Sequence, residues 1–187
     1  MANVNHSTLT DPYLHEPKGV ASAASGEVYI ADGAGTGAWT QLQRHVGGYL
    51  AFSATSPYIH SATTSDTPLD PTFTIVDNNG FTGVSTPNAG IRYDGLESIH
   101  AGITFTASVQ QTSGHDRDVE LVLYLNNSQL AGSRVVTTSK NGEWAQFTTA
   151  FNTTLATNDV IEVHTKVDST SSVQFASAYL RITGANI

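Results

Sequence analysis

From Ser98 to Gln110 the chain alternates without a break: Ile99, Ala101, Ile103, Phe105, Ala107 and Val109 are apolar, and every residue between them is polar or glycine. A period of two marks a strand with one buried and one wet face. Such a strand cannot persist alone, because burying one row of side chains does not offset the entropy lost in fixing its backbone. The pattern predicts a place in the middle of a sheet packed on a second sheet.

Shorter alternating segments surround it at near-regular spacing. Gly48–Ser53 reads as a first strand, Pro57–Ala62 as an edge piece demoted by its proline, and Phe73–Val76 as a short strand before the turn Asp77-Asn78-Asn79-Gly80. Phe81–Val84 and Ile91–Tyr93 flank a loop at Pro87–Gly90. Beyond the turn Gly114-His115-Asp116, the segment Arg117–Leu125 places Val119, Leu121, Leu123 and Leu125 on one face, with Val122 and Tyr124 on the other. Turn signals at Asn126-Asn127, Asn141-Gly142 and Asn158-Asp159 then separate Ser128–Thr138, Trp144–Phe151 and Val160–Val167. The last strand, Ser172–Thr183, carries Ala176, Ala178, Leu180 and Ile182 on one face and Val173, Phe175 and Tyr179 on the other.

With no amphipathic helix anywhere, the expectation is all-β: a jelly-roll or Greek-key β-sandwich over residues 46–187. A sandwich has one core. The second apolar face, at Val122, Tyr124, Val173, Phe175 and Tyr179, is therefore expected to meet another copy of the chain.

Residues 1–45 read differently. Pro12, Pro17 and the small-residue run Val20–Gly26 form no period long enough for a core, so the segment is expected to be an extended arm. Within it, Val28 and Ile30 alternate with Glu27 and Tyr29 before Asp32-Gly33 and Trp39, predicting a small hairpin that carries Tyr29 and Trp39. An isolated hairpin is marginal in water, so a sister subunit or a foreign surface is expected to order it.

Composition narrows the function. The net charge is −8 with eight lysines and arginines scattered singly, which leaves no basic stripe for a nucleic acid. No cysteine is present, so disulfides, thiolate zinc sites and cysteine nucleophiles are all excluded. The first residues lack the basic start and apolar core of a secretory signal, and no run is long enough to cross a membrane; assembly in a cytoplasm is expected. For the same reason the sequons at Asn5, Asn126 and Asn152 read as chance.

The seven histidines (6, 15, 45, 60, 100, 115 and 164) show no metal-ligand spacing, and His100 and His164 are expected to be solvated or at an interface on the polar faces of their strands. Asp116, Asp118 and Glu120 alternate onto one face and read as an exposed acidic face beside Arg117 rather than a calcium site. No Gly-x-Ser-x-Gly elbow, catalytic carboxylate pair or phosphate cradle occurs, so neither an enzyme, such as a depolymerase, nor a cofactor is expected. Trp39, Trp144, Tyr49 and Tyr58 could stack on sugars if exposed, though Trp144, with Phe147 and Phe151 after it, reads as packing.

Two stretches carry resemblances. Gly90-Ile91-Arg92-Tyr93-Asp94-Gly95, the alternating strand, the long paired strands and Ala178-Tyr179-Leu180-Arg181-Ile182 together resemble the trimeric jelly roll of the tumour-necrosis-factor and complement-head superfamily. Leu14-His15-Glu16-Pro17-Lys18-Gly19-Val20, with Gly26–Gly33 and Trp39, resembles the N-terminal segment of tailed-bacteriophage head fibres and capsid decoration proteins. The resemblances imply a virion protein and a homotrimer that projects from the particle. They imply attachment to the major capsid protein or another virion protein through His15, Pro17, Lys18, Gly19, Val28, Tyr29, Ile30 and Trp39. The alternative is a tail-fibre or adsorption module that recognises a host-surface glycan.

Overall fold

The computed structural model describes residues 23–24, 27–31, 34, 37–41, 45–70, 73–85, 88–112 and 114–186. Contacts divide the chain into two compact units, Met1–Gln43 and Arg44–Ile187.

In the first unit, β1 (Glu27–Ala31) and β2 (Gly37–Gln41) pair antiparallel, with Tyr29 opposite Trp39. The two rings meet edge-on at 5.5 Å. Gly37 makes room for this: a Cβ there would lie 2.8 Å from the Tyr29 ring and 2.3 Å from the Ile30 carbonyl. The expected hairpin is present, with Ile30 52% exposed.

The second unit opens with β3 (His45–Ala62), β4 (Thr67–Pro68), β5 (Thr74–Asn79), β6 (Phe81–Val84) and β7 (Gly90–Tyr93). It continues through β8 (Ile99–Gln111), β9 (Arg117–Leu125), β10 (Ser128–Gln129), β11 (Val135–Ser139), β12 (Trp144–Leu155), β13 (Val160–Val167) and β14 (Ser171–Asn186). Five strands form one sheet in the order β12-β8-β14-β3-β5, and seven form the other along β10-β9-β13-β7-β6, with β11 on β9 and β4 on β13. Among the described residues there is no helix, hence none long and apolar enough to cross a membrane.

The alternating segment is β8, between β12 and β14, and all six of its odd-numbered apolar residues from Ile99 to Val109 are buried. They meet Val119, Leu121 and Leu123 of β9 and Ile161, Val163 and Val167 of β13 in one core between the sheets. Asn126 (φ 50°), Asn127 (φ 63°) and Asn158 (φ 71°) take the left-handed conformation that the expected turns require.

Two features differ from expectation. The first is that β3 is a single strand of eighteen residues rather than two. Its ladder to β14 passes from Ser53 to Tyr58 and skips residues 54–57, so Pro57 sits where no N–H is needed.

The second is a β-bulge in β14. Phe175 pairs with Val109 but Ser177 with Ser108, leaving Ala176 as an extra residue that reverses the side-chain phase. Val173 and Phe175 before the bulge, and Ala178, Leu180 and Ile182 after it, all point into the same core. The apparent second apolar face of this strand is core spread over two phases. Of the residues assigned to it, Tyr179 alone faces outward.

Candidate functional site: the open face of the five-stranded sheet

The outer side of the β12-β8-β14-β3-β5 sheet follows from its register. Thr106 pairs with Thr148 on one side and Tyr179 on the other, and Thr104 pairs with Arg181, which pairs in turn with Tyr49. Tyr49 and Tyr179 are thus diagonal neighbours on adjacent strands, the spacing at which aromatic rings meet across a sheet. Their rings stack at 6.0 Å and 22°. Burial raises the Tyr49 pKa, the Tyr179 hydroxyl raises it further, and the Arg181 charge opposes both.

With Thr104, Thr106 and Arg181, the two rings line an open depression of about 430 Å³. Thr106 and Thr148 hydroxyls are 3.2 Å apart. A second depression of about 440 Å³, lined by His100, Gly102, Asn152, Thr153 and Thr154, continues the face toward the start of β8. Hydroxyl, amide, imidazole and guanidinium groups flank two aromatic rings. This suits a partially polar protein contact or a sugar.

The expected interface residues do not form one surface. Val173 and Phe175 are core, and Tyr179 is 37% exposed on the open face. Val122 and Tyr124 lie on the outer side of the other sheet, and Val122 is fully buried within the chain. On either side of Val122, Glu120 accepts from Arg134, and Tyr124 donates to Asp66 at 2.7 Å. Arg134 also donates to Asp66 at 2.8 Å, which closes a ring of contacts around the valine. Lys166 adds a second cation contact to Glu120 at 3.3 Å. Burial would raise the Asp66 pKa, but hydrogen bonds from Arg134 and Tyr124 outweigh it and hold the carboxyl below its ordinary range.

On the same side His164 is buried rather than solvated. Its ring stacks on Tyr124 at 3.8 Å and its Nε2 lies 3.0 Å from Glu162. Asn88 donates to the same Glu162 carboxylate at 3.2 Å.

The three alternating carboxylates go separate ways. Asp116 accepts from the Asn141 N–H at 3.1 Å, Asp118 from the Thr138 hydroxyl at 2.7 Å, and Glu120 binds the two cations. Among the described residues no three metal-ligating side chains converge. Tyr58 is half-buried among Phe52, His60 and Phe175, whereas Trp144 is exposed at the start of β12, contrary to the packing expected of it.

Of the expected attachment residues, Val28, Tyr29, Ile30 and Trp39 lie on the hairpin. His15, Pro17, Lys18 and Gly19 lie outside the described residues. Sequence reasoning missed Tyr49, Thr104, Thr106 and Arg181 as partners of Tyr179. Each stands in the polar phase of its strand, and that phase was the available signal.

No protein-family model matches the chain, and no curated protein matches it. Among solved structures, the chain is similar to Eiger TNF from S. frugiperda at 10% identity, over 75% of this chain and 92% of that one, with a TM-score of 0.53. It is also similar to the PRD1 vertex protein P5 (19% identity, 76% and 96% coverage, TM-score 0.47) and to murine APRIL (8% identity, 75% and 99% coverage, TM-score 0.45). At these identities the likeness shows the fold alone. The second unit is a tumour-necrosis-factor-like jelly roll.

Proposed function

We propose that this chain is a structural protein of a virion, a capsid decoration or head-fibre protein that grips the particle through its N-terminal segment and projects a homotrimeric jelly roll. The observation that carries this reading is the hairpin unit. Among the described residues it is two five-residue strands with an edge-on Tyr29–Trp39 pair and Ile30 exposed; a two-stranded hairpin is marginal in water, and such a piece gains stability from what it binds. Three linked copies would add avidity.

For the trimer, support comes from the resemblance already described and from the open face. Stacked tyrosines beside an arginine are the residue types that concentrate binding energy at protein interfaces, with no need of a wholly apolar patch. The reading assigns no catalytic step and no cofactor. Removing residues 1–43 is expected to leave a soluble trimer that no longer co-sediments with particles; a truncated protein still bound to particles refutes the attachment role.

A second reading has one observation in its favour. The Tyr49–Tyr179 depression, rimmed by threonine hydroxyls and Arg181, has the aromatic floor and polar edge of a sugar site, which would make the jelly roll an adsorption module for a host-surface glycan. A glycan array that returns no binder for the full chain removes it.

A further inference from the structure

One pole of the jelly roll is knitted into a stiff platform. The loop 94–98 after β7, the turn 126–127 after β9 and the loop 156–159 after β12 meet there. The Asn158 N–H donates to the Tyr93 carbonyl and the Tyr93 N–H to the Asp159 carbonyl, each at 2.8 Å. Asn126 donates through Nδ2 to Asp159 at 2.7 Å and accepts the Val160 N–H at 2.9 Å. The Asp159 carboxylate also takes the Ala156 N–H at 2.8 Å. On the loop itself, the Thr157 hydroxyl donates to the Gly95 carbonyl and the Tyr93 hydroxyl to the Glu97 carbonyl. A Cβ on Gly95 would lie 2.0 Å from the Tyr93 oxygen, so the ring packs directly on the loop backbone.

On this clamped loop Leu96 is 96% exposed. Single exposed leucines are common on protein surfaces and by themselves mean nothing. Leu96 differs because its loop is already ordered, so a partner that buries it does not bear the entropy of fixing the loop.

The location adds a second argument. His45 pairs with Ala185, and Ile99 pairs with Asn186 and Leu155, so the chain enters and leaves the jelly roll at the same pole as Leu96. The segment before His45 therefore joins the jelly roll at this pole. Of the carboxylates on these loops, Asp94 pairs with Arg92 at 2.6 Å and Asp159 is held by Asn126 and the Ala156 N–H.

We infer that this pole is a second contact with the particle, with Leu96 seated in an apolar pocket on the surface protein that the N-terminal segment grips. The inference rests on the proposed attachment function. Its test uses purified particles that lack this chain, titrated with the full-length protein. Leu96→Asp is expected to weaken binding about tenfold or more, the worth of one buried leucine. Its melting temperature and oligomeric mass should match the parent, since the side chain is in water. Thr170→Asp, on an exposed turn at the opposite pole, is expected to change nothing. If the parent binds and Leu96→Asp binds equally well, or if both variants weaken alike, the platform contact is overturned while attachment through the N-terminal segment stands. If the parent itself fails to bind, both readings fall.

Discussion

The outer faces of the two sheets solve the same problem in opposite ways. On the seven-stranded sheet, Arg134 and Lys166 answer the carboxylates of Asp66 and Glu120, His164 lies on Tyr124, and Val122 beneath them is sealed from water. That face is closed by its own chain. On the five-stranded sheet, Tyr49, Tyr179, Arg181 and a row of threonines stand around an open depression with little covering them. A face whose groups satisfy each other has little left to offer a partner, whereas tyrosines left partly in water have more. The comparison leaves internal stability to one sheet and gives the proposed association its place on the other.

The largest effect that would break this division is on assembly. Tyr179→Glu places a charge in the proposed interface and should convert a trimer to the single-chain mass of 19.8 kDa by light scattering, with the fold retained. A trimer that survives the change puts the interface elsewhere.

Next comes stability. Arg134→Met leaves the partly buried Asp66 without its paired cation and Glu120 with Lys166 alone, and should lower unfolding free energy by about 2 kcal/mol in denaturant titrations. Its oligomeric mass should not move. A variant that dissociates without losing stability would reverse the roles of the two faces.

The smallest effect is a pH dependence inside the core. Burial lowers the His60 pKa, partly opposed by the Asp70 charge. Below the unfolded pKa of about 6.5 the unfolded chain then binds more protons than the folded one, so stability falls as pH drops through that value. His60→Gln should flatten the slope of melting temperature between pH 7 and pH 5. Asp66, held low by Arg134 and Tyr124, adds a further loss only in stronger acid, as pH falls through its depressed folded value.

Much of this architecture is legible in the residues. The unbroken alternation of β8, the asparagine turns and the absence of helical period lead directly to an all-β sandwich, since local pattern and local structure agree there. The interface was harder to read, for two reasons. The Ala176 bulge shifts side-chain phase by one residue without any glycine or proline to announce it, so alternation counted straight through β14 assigns Val173 and Phe175 to the wrong side. Val122 reads as a spare apolar residue because the groups paired on that face, Arg134 and Asp66, are 68 residues apart and joined only by the fold. Leu96 offered no periodic signal at all, being conspicuous only once the loops around it are seen to be tied.

The bulge gives β14 a property of its own. Its two halves are written in different frames, like a sentence that makes sense only when one letter in the middle is skipped. Paired in plain alternation with Ala176 taking a place in the ladder, the second half would turn inside out, presenting Leu180 and Ile182 to water and driving Tyr179 and Arg181 toward the interior, whereas removing Ala176 would bring both halves into one phase. Without the bulge every residue of the strand could be unchanged and the protein would still lose both its core and the surface it shows to others.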